Sequence, residues 1–261
     1  QRLPEGVALR VIVADNDETT SAATHVEAAE RCMSVPVVYV HAPASNISIA
    51  RNACLDIADG DWIAFIDDDE AAAPDWLARL RAYALDNRCD GGFGPAVAAY
   101  GEDAPDWVSR FGEVQTGHTC NALLRWRGGP FDAERFRLDK GRSGGEDTEF
   151  FFRLWRKGAR LGICEEALVF ERVDPARLSF DWIRRRKFRA GQSYGRHARA
   201  APLAQVGLAA GALAKVASCA AMAGLPAWSE TRRRYWMLRG VFHSGVLAAQ
   251  FGGREEALYG E

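Results

Sequence analysis

Three short apolar runs, each the length of one strand and separated by stretches of helical spacing, constrain this chain more than any other feature. Val7 to Val13 reads as a buried-type strand running into Asp15-Asn16-Asp17. Val35 to Val40 reads as a second, with Pro36 near its start where a strand tolerates it, and Trp62 to Ile66 as a third. Between them, Ser21 to Cys32 is spaced as a helix. A second helix, capped by Ser45 or Asn46, runs to about Ala58, with Ile49, Ala53 and Ile57 on one face and Gly60 as its stop. Pro74 leads into a third, which carries Trp76, Leu77, Leu80 and Ala84 on one side. Strand and helix alternating at these intervals predict an α/β sheet with parallel strands.

The third apolar run stops abruptly at Asp67-Asp68-Asp69-Glu70. Carboxylates this close repel unless a positive charge sits among them. A hard divalent cation such as Mg²⁺ or Mn²⁺ answers that need, because it takes oxygen ligands and shares them with substrate phosphates. Open α/β sheets also bind ligands beyond the carboxyl ends of their strands, where this cluster falls. A solvated acidic turn capping the next helix is the other reading of the run.

The middle of the chain, Gly91 to Gly145, is rich in glycine and short runs, and reads as loops and short strands around a site rather than a new core. A firm helix follows from about Glu146 to Lys157, with strand-like runs at Leu161–Cys164 and Ala167–Phe170. Ser143-Gly-Gly-Glu146 matches a capping box. From Leu203 to Trp228 the composition turns to alanine, leucine, valine and glycine, flanked by Arg196 and Arg199 on one side and Arg232-Arg-Arg234 on the other. Gln205, Lys215 and Ser218 interrupt it, so it falls short of a clean membrane span. Docking on an anionic leaflet fits this pattern, as does an ordinary alanine-rich packing helix. A net charge of −2 hides an acidic front and a basic stretch from Arg153 to Arg199, centred on Arg184-Arg-Arg-Lys187. That asymmetry suggests separate surfaces with separate partners, and nothing in it asks for nucleic acid. Six cysteines without a C-x-x-C pair read as reduced, buried thiols in a cytosolic protein.

Five segments occur in order: Val11-Ile-Val-Ala-Asp15-Asn-Asp17, Ala50-Arg51-Asn52, Phe65-Ile-Asp67-Asp-Asp69-Glu70, Thr119-Cys-Asn121, and Gly144-Gly-Glu146-Asp147-Thr148-Glu149. Together they resemble family 2 glycosyltransferases of the GT-A fold. Glu171-Arg-Val-Asp-Pro175-Ala-Arg177, then Trp182-Ile-Arg-Arg-Arg186 and Gly191, is similar to the bacterial exopolysaccharide branch, of succinoglycan-glucosyltransferase type. The resemblance covers nearly the whole chain and implies a GT-A (Rossmann-like) mixed, mainly parallel sheet flanked by helices. It implies a glycosyltransferase domain over 1–180 and a helical, membrane-associating region over 181–261. The chain opens at what resembles the linker into the family's second strand, so the first strand and helix are expected to be missing.

The resemblance also implies a reaction: inverting, metal-dependent transfer of a sugar from a nucleotide donor, UDP in this reading, to a polyprenyl-linked saccharide. The place would be the cytoplasmic face of a bacterial inner membrane. The family's D-x-D motif maps onto Asp67 and Asp69, making Asp69 a metal ligand with Asp67 as ligand or ribose contact. Asp15 would touch the donor's base, with Asn16 or Asp17 as alternatives; Arg51 and Asp68 complete the donor-binding set. Asp147 is the candidate general base, while Glu146 and Asn121 are acceptor contacts. Relatives place a metal-binding histidine near Phe170-Glu171-Arg172, where this chain offers Glu171 instead. His118 reads as structural or an acceptor contact rather than a base. Two other functions stay open: a non-catalytic nucleotide-sugar-binding or membrane-scaffold protein on this fold, and a nucleotidyltransferase. The latter leans on a glycine-rich phosphate loop after its first strand, which this sequence lacks.

Overall fold

The computed structural model describes residues 1–102, 104–109, 114–115, 118–141, 145–197 and 202–252. These form two compact units, one from Gln1–Ala98 with Val114–Glu171, the other from Ala99–Glu113 with the chain from Arg172 onward. The second unit thus begins before residue 181 and takes in a short segment from the middle of the chain.

In the first unit the elements are β1 (Val11–Asp15), α1 (Ala23–Cys32), β2 (Val37–His41), α2 (Ile47–Ile57), β3 (Trp62–Ile66), β4 (Glu70–Ala72) and α3 (Trp76–Asp86). Then come β5 (Gly91–Phe93), β6 (Ala96–Ala99), β7 (Val114–Gln115), β8 (Asn121–Arg125), α5 (Glu146–Arg156), β9 (Leu161–Ile163) and β10 (Val169–Arg172). Helix α4 (Asp106–Ser109) belongs to the second unit. Strands β1 and β2 pair in parallel as a two-stranded ladder. The principal sheet runs β3-β8-β5-β9, and a second runs β4-β10-β6-β7.

The sheets are mixed, as expected, but parallel pairing does not dominate. Among the described registers only β1–β2 and β5–β9 are parallel, because β8 enters between β3 and β5 and runs against both. The middle of the chain is therefore not merely loop. Ala122, Leu123 and Leu124 of β8 and Trp126, Phe131 and Phe136 after it are buried. Phe136 stacks on Phe150 of α5 at 4.1 Å between ring centroids, and Phe93 meets Phe151 edge-on at 4.6 Å. Burying each such side chain contributes about 1.5–3 kcal/mol, so these loops fasten α5 to the sheet. Gly94 is required here, since a Cβ would lie 2.0 Å from the Ala167 carbonyl oxygen and 2.5 Å from Asn121 Nδ2.

One register sets the site. Ile66, the last residue of β3, pairs with Asn121, the first of β8. The residues just before β8 are therefore carried beside the acid turn just after β3. Likewise Glu70 of β4 pairs with Glu171 of β10, so two acids face each other across an antiparallel ladder.

The second unit comprises α4, the 3-10 turn Pro175–Leu178, α6 (Phe180–His197), α7 (Pro202–Ala223) and α8 (Glu230–Gln250). Helices α6 and α8 meet at glycines: a Cβ on Gly191 would lie 2.0 Å from the Phe242 carbonyl, and one on Gly245 2.0 Å from that of Phe188. Of the six cysteines, all free, Cys164 and Cys219 are buried as expected, whereas Cys32 is exposed because α1 has no buried face.

Candidate active site

Strand β3 delivers Asp67 into a turn that its own acids shape. The Asp67 amide donates to Glu70 Oε2 at 3.1 Å, which folds the chain back into β4. Burial, then the charges of Asp67 and Asp69, push the Glu70 carboxyl up to about 8 against the bond from that amide. Asp68 and Asp69 are exposed on the turn.

Helix α2 supplies the counter-charge. Asn46 caps it, its side chain accepting from the amides of Ser48 and Ile49, and the Asn46 amide group donates to the Leu138 carbonyl at 2.9 Å. With the first turn pinned, Arg51 projects with its side chain only 10% exposed. Its Nη1 donates to Glu146 Oε1 at 2.5 Å and its Nη2 lies 3.5 Å from Asp67 Oδ1. Beneath it lies the Phe136 ring, with 5.6 Å from guanidinium carbon to centroid. One guanidinium therefore joins the acid turn to the start of α5.

Helix α5 opens at Gly145 in the left-handed conformation (φ 83°), with no side-chain cap; Ser143 of the expected capping box lies outside the described residues. Glu146, Asp147 and Glu149 fill the first turn, where the helix dipole favours negative charge. Glu146 is buried, and among the described residues its Oε2 has no hydrogen-bond partner. Burial raises its carboxyl, as does Asp147, while Arg51 opposes both. Asp147 Oδ2 lies 2.8 Å from His118 Nδ1, and Oδ1 accepts from the Thr148 amide at 2.6 Å. Burial alone would raise Asp147, but the His118 bond and charge, the Arg51 charge and that amide together hold it down to about 2.

Other expected site residues fall into different roles. Asn121 is 1% exposed and fastened in the core: Oδ1 accepts from Trp76 Nε1 at 2.7 Å, and Nδ2 donates to the carbonyls of Pro95 and Ala167. Its side-chain oxygen and its amide group are thus both bonded inside the protein. Asp15 is buried and accepts from the amides of Ala22 and Asp17 and from the Tyr39 hydroxyl. The Ala22 amide foremost, then Tyr39, hold its carboxyl below the usual range. Its work is to fold the loop after β1, leaving half-buried Asn16 and exposed Asp17 at the surface of that loop. Among the tryptophans, Trp126 lies in the core, Trp107 packs on Phe180 and Trp182 lies under Arg186. The His118 contact was not legible in sequence, since nothing in spacing pairs residues 29 apart.

Asp67 and Asp69 give the acid turn the chemistry of a hard-cation site. Among the described residues no three His, Cys, Asp or Glu side chains converge into a ready-made metal cage. Glu171 pairs with Glu70 across the ladder beside the turn.

The chain is similar to known proteins. The sequence profile of Glycosyl transferase family 2 matches residues 5–153. The succinoglycan biosynthesis protein ExoM of Rhizobium meliloti is 43% identical over 271 residues, covering 99% of this chain and 88% of its own. A glucosyl-dolichyl phosphate glucuronosyltransferase of Haloferax volcanii is 27% identical over 176 residues, 57% of this chain and 54% of its own. Among solved structures, mannosyltransferase PcManGT from Pyrobaculum calidifontis, in complex with GDP-Man and Mn²⁺, shares the fold. Its TM-score is 0.60 at 16% identity, over 94% of this chain and 79% of that one.

The buried pair can be tested directly. Arg51→Met leaves Glu146 buried without its counter-charge and should cost about 3 kcal/mol or more in urea unfolding. Arg51→Met with Glu146→Met should recover most of that loss. If the single variant is as stable as wild type, the two side chains do not form a buried pair.

Proposed function

The chain belongs to glycosyl transferase family 2, and from that premise we propose inverting transfer of a sugar from a nucleoside-diphosphate donor to a saccharide acceptor in polysaccharide biosynthesis. The observation that carries this reading is the bridge of Asp67, Arg51 and Glu146. It ties a turn suited to a diphosphate to a helix start that offers a buried acceptor oxygen without a hydrogen-bond partner among the described residues.

The donor's diphosphate lies against the acid turn. Asp69 and Asp67 would hold Mg²⁺ or Mn²⁺ there, and the cation supplies several kcal/mol of charge neutralisation to the departing diphosphate. Arg51 adds a fixed positive charge whose orientation Glu146 sets before substrate arrives. The loop after β1 reads the base: a carboxylate or amide oxygen of Asp17 or Asn16 can accept the imide N–H of uracil, which favours UDP. Asp68, exposed on the turn, contacts the donor without holding the metal. On the acceptor side, Glu146 Oε2 accepts from a sugar hydroxyl, and Asp147 supplies the negative charge that proton removal from the attacking hydroxyl requires.

A lipid-linked saccharide at the inner face of a bacterial membrane is the acceptor in this reading. Support comes from α7, whose Gln205–Ala223 stretch has mean hydropathy 1.6 with 11% buried, and from Val206 and Leu213, exposed at 68% and 57%. Trp228 with Arg232 stacked 3.9 Å over its ring adds the aromatic and basic pairing common at membrane interfaces.

With a UDP-sugar and Mn²⁺, chelation should lower UDP release more than 100-fold, and Asp69→Asn should reproduce that loss, whereas Asp68→Asn should stay within a few-fold. Turnover indifferent to both chelator and Asp69→Asn would remove the metal from the mechanism. For the membrane, Val206→Glu combined with Leu213→Glu should weaken binding to anionic vesicles at least tenfold; undiminished binding would exclude α7 as the docking element.

A further inference from the structure

Helices α6, α7 and α8 of the second unit enclose a cleft of about 270 Å³, near the small end of the range for ligand clefts. Tyr194 of α6, Gly207, Gly211 and Lys215 of α7, and Phe242 and His243 of α8 are among the residues that line it. Glycine inside a helix is destabilising relative to alanine, so two of them one turn apart ask for a reason. Close helix packing is one such reason, and it holds at Gly191 and Gly245, where a Cβ would strike backbone. It does not hold on α7: among the described residues, a Cβ on Gly207 or Gly211 would meet nothing within 4 Å. Both glycines are exposed, so the cleft opens along the uncovered surface of α7. From Gly207 to Lys215 the helix rises about 12 Å, the length scale of a medium acyl chain.

Positive charge gathers at one end of this cleft. Lys215 is the last α7 residue on it, and its charge acts on His243 together with that of Arg239. No acid is among the groups that act on His243. Among the described residues, neither Lys215 nor the His243 ring forms a hydrogen bond or an ion pair. Largely apolar walls that end in unbalanced cations are complementary to a hydrocarbon chain that ends in a phosphate. We propose that the cleft binds an anionic phospholipid, with one acyl chain along Gly207 and Gly211 and the phosphate between Lys215 and His243. The bilayer proposed to carry α7 would supply that molecule directly. The site goes beyond the docking reading of α7 and is separable from it, because Val206 and Leu213 do not line the cleft.

The test uses the full chain and isothermal titration calorimetry with dioctanoyl phosphatidylglycerol below its critical micelle concentration. Dioctanoyl phosphatidylcholine and inorganic phosphate are the controls. The anionic lipid should bind at least tenfold more tightly than the zwitterionic one, and inorganic phosphate should not displace it. Gly211→Leu fills the cleft with a better helix former. It should lower the affinity at least tenfold while the melting temperature holds or rises. Lys215→Gln should cost about fivefold, the worth of one basic residue near an anionic headgroup. The double variant Val206→Glu with Leu213→Glu should keep its affinity for the soluble lipid. No binding of the anionic lipid, equal affinity for both lipids, or wild-type affinity in Gly211→Leu overturns the proposal. Displacement by inorganic phosphate also overturns it, since the cleft would then hold a phosphate and no lipid. Wild-type protein that binds the soluble lipid but ignores anionic vesicles would overturn the docking reading of α7 and leave the cleft as its own site.

Discussion

A guanidinium that is nine-tenths buried must be surrounded by acceptors, and Arg51 meets that demand with acids from two other elements. Glu146 comes from the start of α5 and Asp67 from the end of β3. The Phe136 ring below removes the option of reaching solvent. Because a buried unpaired charge costs several kcal/mol, α2, the acid turn and α5 have little freedom to shift independently. The site is thus pre-arranged by the same electrostatic demand that stabilises the domain. The acid turn and the start of α5 are coupled through one side chain.

The placement of β8 makes this geometry possible. Had it joined the sheet in parallel, its first residues would lie at the opposite end from the acid turn. Running against β3, it sets His118 close to Asp147 and spends Asn121 entirely on fastening Trp76, Pro95 and Ala167. The polar side chain of Asn121 is thereby spent inside the core, while the histidine three residues earlier bonds Asp147.

Local physics made much of the fold legible. The apolar run Trp62–Ile66 forms β3 with those bounds, Asn46 caps α2, and the helix expected from Glu146 forms from that residue. Strand β8 was harder to see because Asn-Ala-Leu-Leu-Arg carries no β-branched residue and sits among glycines. Its burial depends on neighbours far apart in sequence. For the same reason the acid turn, Arg51 and Asp147 could be singled out by type and order, whereas Arg51 bonding Glu146 and His118 bonding Asp147 arise only on folding. Asp15 was likewise legible as a carboxylate after a strand, whereas its bonds to the Ala22 amide and the Tyr39 hydroxyl arise only on folding.

Anomalous diffraction from crystals holding Mn²⁺ and UDP would test the central claim most directly. The account predicts one manganese peak about 2 Å from carboxylate oxygens of Asp69 or Asp67, diphosphate oxygens on the same ion, and Arg51 still bonded to Glu146. A nucleotide bound away from the acid turn, or an Arg51 that has left Glu146 to follow it, would contradict the coupled site described for this protein.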